Sequence, residues 1–137
     1  MRYPELLADL PDDVCRLLRI DTTSRAVMID HATVSHIFER RSFRDAAKIV
    51  GVLARGTFNP VYCGREVAKS RSFFIVELPL SESQELVRIV LKHVTASTSA
   101  STHDEIWVTT AHSVEDSTLS HMLTGTRFVM YRTTRGR

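Results

Sequence analysis

Gly56 divides this chain into two kinds of sequence, and that division limits the folds open to it. Before it the apolar residues recur at helical spacing; after it they mostly alternate, one residue to each face, as strands require. Val34, Ile37, Phe38 and Arg41 form a stripe at i, i+3, i+4 and i+7. They predict a helix starting after Asp30, whose carboxylate can accept a free backbone N–H. Ser42 can cap a second helix over Phe43–Arg55. Its stripe is Phe43, Ala46, Ala47, Val50 and Ala54, widened by Ile49, Val52 and Leu53. Gly56 ends that helix in the left-handed conformation that glycine adopts without steric cost. Upstream, Leu10-Pro11-Asp12-Asp13 reads as another helix start, with acids in the first turn where the dipole favours them. Ala26–Ile29 is a short strand.

Beyond Gly56, Asn59-Pro60 marks a turn, and Val61-Tyr62-Cys63 is a short strand closed by Gly64. Arg71–Leu78 is apolar on both faces and so belongs in the middle of a sheet. In Leu86–Val94, Val87, Ile89, Leu91 and His93 face one way, and Arg88, Val90 and Lys92 the other. Ile106–His112 is rich in β-branched residues. Strict alternation puts Ile106, Val108, Thr110 and His112 on one face, with Trp107, Thr109 and Ala111 opposite. A polar segment with Leu119 and Met122 follows, then Phe128–Tyr131 as an edge strand. Residues 95–103 are too polar to pack and are expected to form a mobile loop; Arg132, Arg135 and Arg137 make a basic tail over 132–137 that frays. Strands in hairpin succession are antiparallel. The expectation is one α+β domain over 1–137, its core at about 10–131. Its N-terminal helices pack on one face of a mainly antiparallel sheet of four to five strands.

Composition narrows the function. A chain of 137 residues can bury a core without staples. A net charge of +2 and a pI of about 8.7 permit contact with nucleic acid but fall short of a dense basic stripe. Cys15 and Cys63 lack metal-type spacing and read as reduced thiols of a cytoplasmic protein. No signal-peptide profile or membrane-length apolar run stands out, so no membrane partner is expected. His93, His103, His112 and His121 have no short ligand spacing, and neither a metal nor a cofactor is expected. Five glycines leave little room for a glycine-rich phosphate loop.

The order of elements, with the helix His36-Ile37-x-x-Arg40, the run Gly56-x-x-Asn59-Pro60-Val61-Tyr62 and the later Thr110-Ala111, resembles a known group. It is similar to phage-associated members of the barnase, EndoU, colicin and RelE-like nuclease superfamily. The resemblance covers residues 10 to 114. Two positions depart from the pattern: Arg41 stands where it has a histidine, and His112 where an aromatic residue often follows the Thr-Ala pair. The resemblance implies a metal-independent endoribonuclease, a phage or prophage toxin or effector. Its partners would be RNA, tRNA included, and an antitoxin or immunity protein. The alternative it leaves open is a catalytically inactive RNA- or protein-binding domain on the same scaffold, such as a phage-encoded inhibitor or accessory protein.

Cleavage of that kind attacks phosphate with the ribose 2′-hydroxyl. It needs a base, an acid for the departing 5′-oxygen, and cations for the developing charge. His36 and His112 are the candidates for proton transfer, because imidazole titrates near neutral pH. Arg41 and Lys92 would stabilise charge, and Thr110 would position the substrate. Arg40, Arg71 and Arg88 would bind phosphate, Arg with a fork matched to its oxygens. Tyr62 would stack a base.

Overall fold

The computed structural model describes residues 5–20, 25–69, 71–79, 85–94 and 104–135. The expected loop over 95–103 lies outside the described residues. The chain runs β1 (Glu5–Asp9), α1 (Asp12–Leu18), β2 (Ala26–Ile29), α2 (His31–Arg40), α3 (Phe43–Leu53), β3 (Pro60–Glu66) and β4 (Ser72–Glu77), then β5 (Leu86–Val94), β6 (Glu105–Val114), α4 (Asp116–Thr124) and β7 (Phe128–Arg132). The fold is α+β, with seven strands in one sheet, in the order β1-β2-β6-β5-β4-β3-β7.

The helices begin where local chemistry allows. Asp30 accepts from Thr33 N at 2.7 Å, and Ser42 from Asp45 N at 3.3 Å. The α3 stripe is narrower than the spacing predicts: Ala46, Ile49, Val52 and Leu53 are buried, whereas Phe43 and Ala47 face out. Gly56 has the positive φ expected of it, 79°. Arg65 donates to the Leu18 carbonyl and so satisfies an end of α1 that has no helical partner.

The sheet is larger than the expected four to five strands, and it is mixed. β3, β4, β5 and β6 pair antiparallel in succession, as hairpins require. β1 and β7 add edge strands, and β2 joins β6 in parallel at Val27–Ile106 and Met28–Trp107. This long-range pairing leaves no local mark in the sequence. Gly64 is a mid-strand residue and does not close β3. A Cβ there would run into the Val129 carbonyl and come within 2.9 Å of Phe74 Cζ, so glycine is what lets β7 lie against β3.

Helices cover both faces of the sheet. α1, α2 and α3 bury Val14, Leu18, Ile37, Ile49 and Leu53 against Ile75, Ile89, Leu91, Ile106 and Val108. On the other face α4, in the segment expected to be merely polar, places Met122 and Leu119 beside Tyr62, Phe74, Val76 and Val114. Of the expected tail, residues 132–135 are held in place, beginning with Arg132, which ends β7. Thr133 N donates to the Val61 carbonyl at 3.2 Å, and Arg135 Nη2 lies 2.7 and 2.9 Å from the two oxygens of Asp13. Burial pushes the Asp13 carboxyl up, but bonds from Arg135 and Thr134 outweigh it and hold the group below its usual range.

Candidate functional site

β6 is where pattern and structure part. Val90 pairs with Thr110 and Leu91 with Val108, so Thr109 is an extra residue, a β-bulge. Beyond it the alternation shifts by one. Ile106, Val108 and Ala111 belong to the core under α1–α3, while Thr110 and His112 turn to the opposite face. The expected grouping of Ile106 and Val108 with Thr110 and His112 is therefore corrected by a single inserted residue. Thr109 lies on that second face too, opposite Ile106 and Val108 as alternation predicts, its hydroxyl donating to the Val90 carbonyl at 3.2 Å.

A cavity of about 390 Å³ opens there. β5 and β6 supply Arg88, Val90, Thr109, Thr110 and His112; Phe74 and Ser72 come from β4, and Glu66 and Lys69 from the end of β3 and the turn after it. β5 keeps its alternation, so Arg88 and Val90 share this face as the sequence predicts.

Arg88 is the unusual member. Its guanidinium carbon lies 4.7 Å from the centre of the Phe74 ring and 5.3 Å from that of Phe128. The two rings meet edge-on, 5.8 Å apart at 87°. These contacts hold the side chain by cation–π attraction and shield part of it from water. Its Nε–H is buried without an acceptor among the described residues. Burial pulls the guanidinium below its ordinary pKa, Glu66 opposes the shift and Arg127 adds to it; the group stays cationic at neutral pH.

His112 pairs with Arg88 across the β5–β6 ladder. Burial first, then the charges of Arg88 and Arg41, push its imidazole down to about 4, so it is neutral at pH 7. Glu66 is the reverse case. It accepts from Arg127 Nε at 2.8 Å and lies 3.6 Å from Lys69 Nζ. The Arg127 bond, more than Lys69, holds its carboxyl below the usual range. One cavity thus holds a desolvated cation, a neutral imidazole, an ionised carboxylate and three hydroxyls. Such a set can bind an anion and can, in principle of charge, move a proton.

Of the expected site residues, the structure brings together Arg88, Thr110 and His112. His36 is exposed on α2, the helix whose Ile37 packs on the other face, and it does not line the cavity. The pairing of His36 with Thr110 and Lys92 in one site is therefore not what the fold makes. Lys92 shares the face of Arg88 but is exposed beside Ser72 and Trp107, outside the cavity lining. Arg40 is exposed at the end of α2, and Arg41, partly buried, reaches His112 through its charge alone. Arg71 is exposed ahead of β4, where its carbonyl accepts from His93 N at 3.0 Å. Tyr62 is 9% exposed and packs with Val76 and Leu86, which removes it as a stacking platform.

Sequence reasoning missed Glu66, Lys69, Ser72, Phe74 and Thr109. Only Glu66 and Lys69 gave a signal, an oppositely charged pair three residues apart after a strand. His93 Nε2 lies 2.9 Å from Asp104 Oδ2, and no group of three or more potential metal ligands occurs among the described residues. Nor is any helix among them long and apolar enough to cross a membrane. Comparison with protein-family models, with curated proteins and with solved structures gave no match.

Proposed function

We propose that the chain is an RNA-binding domain that holds a phosphate of the strand in this cavity. Arg88 carries the reading: a partly buried guanidinium in a cavity, with a buried Nε–H lacking an acceptor among the described residues. A cation so placed attracts an anion more strongly than one in water, and its fork matches two phosphate oxygens. Thr109, Thr110 and Ser72 offer hydroxyls, and Lys69 a second cation. The order of elements, which resembles a nuclease superfamily, supports RNA as the carrier of that phosphate. Binding without cleavage is favoured because His36, the expected partner of His112 in proton transfer, stands apart from the cavity.

A second reading, the metal-independent endoribonuclease, is favoured by one observation: Glu66 and His112 line the same cavity. Glu66 would take the 2′-hydroxyl proton. His112, protonated as the phosphate's charge enters, would give one to the departing 5′-oxygen. A toxin or effector role, with an antitoxin or immunity protein as partner, follows only from this reading.

Fluorescence anisotropy of labelled single-stranded RNA and tRNA, in EDTA at low salt, separates the two. Binding with intact RNA, weakened about 10- to 150-fold by Arg88→Met, is expected from loss of a charged hydrogen bond of about 1.5–3 kcal/mol. Met keeps the apolar stem that packs on Phe74. Cleavage abolished by Glu66→Gln and by His112→Gln would establish the second reading. Neither binding nor cleavage at high protein concentration refutes both.

A further inference from the structure

We propose that Phe38 and Phe43, at the corner between α2 and α3, form a stacking platform for bases of a single-stranded RNA whose phosphate sits in the cavity. The proposal rests on the reading of that cavity as an RNA site and extends it from one phosphate to a path across the surface.

Both helices turn their large apolar residues inward except here. Phe43 is 78% exposed, the most exposed large apolar side chain among the described residues, and Phe38 is 37% exposed. Their ring centres lie 5.8 Å apart with the planes tilted by 40°, so the rings support each other while presenting faces to solvent. Such exposure costs hydrophobic burial, and α3 has no geometric need of it: Ala46, Ile49, Val52 and Leu53 alone seat the helix. Base stacking tolerates any sequence, because every base has a π-face.

The surroundings suit a polyanion. In the sequence around the rings Arg40, Arg41 and Arg44 outnumber Glu39 and Asp45, which gives the corner a net positive charge. The corner lies on the sheet face opposite the cavity, and Arg41 is what links the two. α2 packs against β6, and Arg41, directly after α2, bears on the His112 imidazole with its charge. A strand anchored at Arg88 and passing His112 would meet Arg41 next and the two rings after it. The cationic flank favours RNA over an apolar protein surface as the occupant.

The test compares a dinucleotide with a ten-nucleotide single-stranded RNA, using wild type, Phe43→Ala, Phe43→Trp and Arg88→Met in the full chain. Because Phe43 is exposed, its truncation leaves the core intact, which a thermal melt will verify. Phe43→Ala is expected to leave dinucleotide affinity unchanged and to weaken the longer RNA about 5- to 150-fold, the range for one lost stacked base of about 1–3 kcal/mol. Phe43→Trp should restore it. If Arg88→Met weakens both ligands while Phe43→Ala weakens neither, the platform is refuted and the cavity reading stands. If neither RNA binds wild type, the cavity reading falls and the platform with it. Self-association lost in Phe43→Ala at unchanged RNA affinity would make the corner a protein contact and also overturn the proposal.

Discussion

Acidification should remove stability that depends on the burial of His112 beside Arg88. In the unfolded chain this imidazole takes up a proton as pH falls through its ordinary value of 6.5; in the folded protein burial, Arg88 and Arg41 delay that step to about 4. The contribution is therefore fully present above about pH 6.5 and is lost as pH falls toward about 4. At about 1.4 kcal/mol per pH unit, the gap amounts to about 3 kcal/mol, of which roughly 1 kcal/mol is gone at about pH 5.5. Carboxylates titrate in the same window, so the measurement is a difference. Urea unfolding of wild type and His112→Gln is followed at about pH 7.5, 5.5 and 4.5. Glutamine keeps the polarity of the side chain without titrating. The wild type should lose about 2.5 kcal/mol more than the variant across the range. Parallel stability curves would refute the placement of His112 against Arg88 in a water-poor cavity. An NMR titration of the imidazole in Arg88→Met offers a cross-check: with that cation removed, the apparent pKa should rise.

Three further outcomes concern the scaffold. Gly64→Ala should cost about 1–3 kcal/mol by urea unfolding, since the new methyl group must push the Val129 carbonyl and β7 away from β3. Arg55→Leu should cost about 3–5 kcal/mol by the same assay, because Glu77, with no exposed surface, would lose its cation and be left with the Asn59 N–H at 2.9–3.0 Å; Arg55→Leu with Glu77→Leu should recover most of it. Truncation after Thr133 removes the Thr134 and Arg135 bonds to Asp13. It should lower stability by about 1–3 kcal/mol in a denaturant melt and raise the apparent pKa of Asp13.

The parts of the fold that the sequence carried were those written in local patterns. Asp30 and Ser42 cap their helices, Gly56 takes its positive φ, and Leu86–Val94 alternates as read. Long-range pairing was not legible: nothing near Ala26–Ile29 announces that it lies beside Ile106 and Trp107. Within the site, Thr110 and His112 were named for their chemistry but assigned to the wrong face. The error has one cause, because a bulge changes the count between two strands without altering either strand's composition. His36 was drawn in by side-chain type and separated by the fold. Phe74 was hidden for the opposite reason: its role is to hold Arg88, and an apolar residue in a central strand gives no hint of a cation over its ring.

The strand order has a consequence for how this protein fails. β3 to β6 form a self-contained meander, and the two ends of the chain supply its covers, β2 with β1 along β6 and β7 along β3. Each cover is short, and β7 depends on a glycine and on the lock between Asp13 and Arg135. Loosening either end bares a ladder of unpaired N–H and C=O groups on strands rich in valine, isoleucine and phenylalanine, a template for another copy. Damage to the termini should therefore show itself as concentration-dependent assembly before it shows as loss of secondary structure.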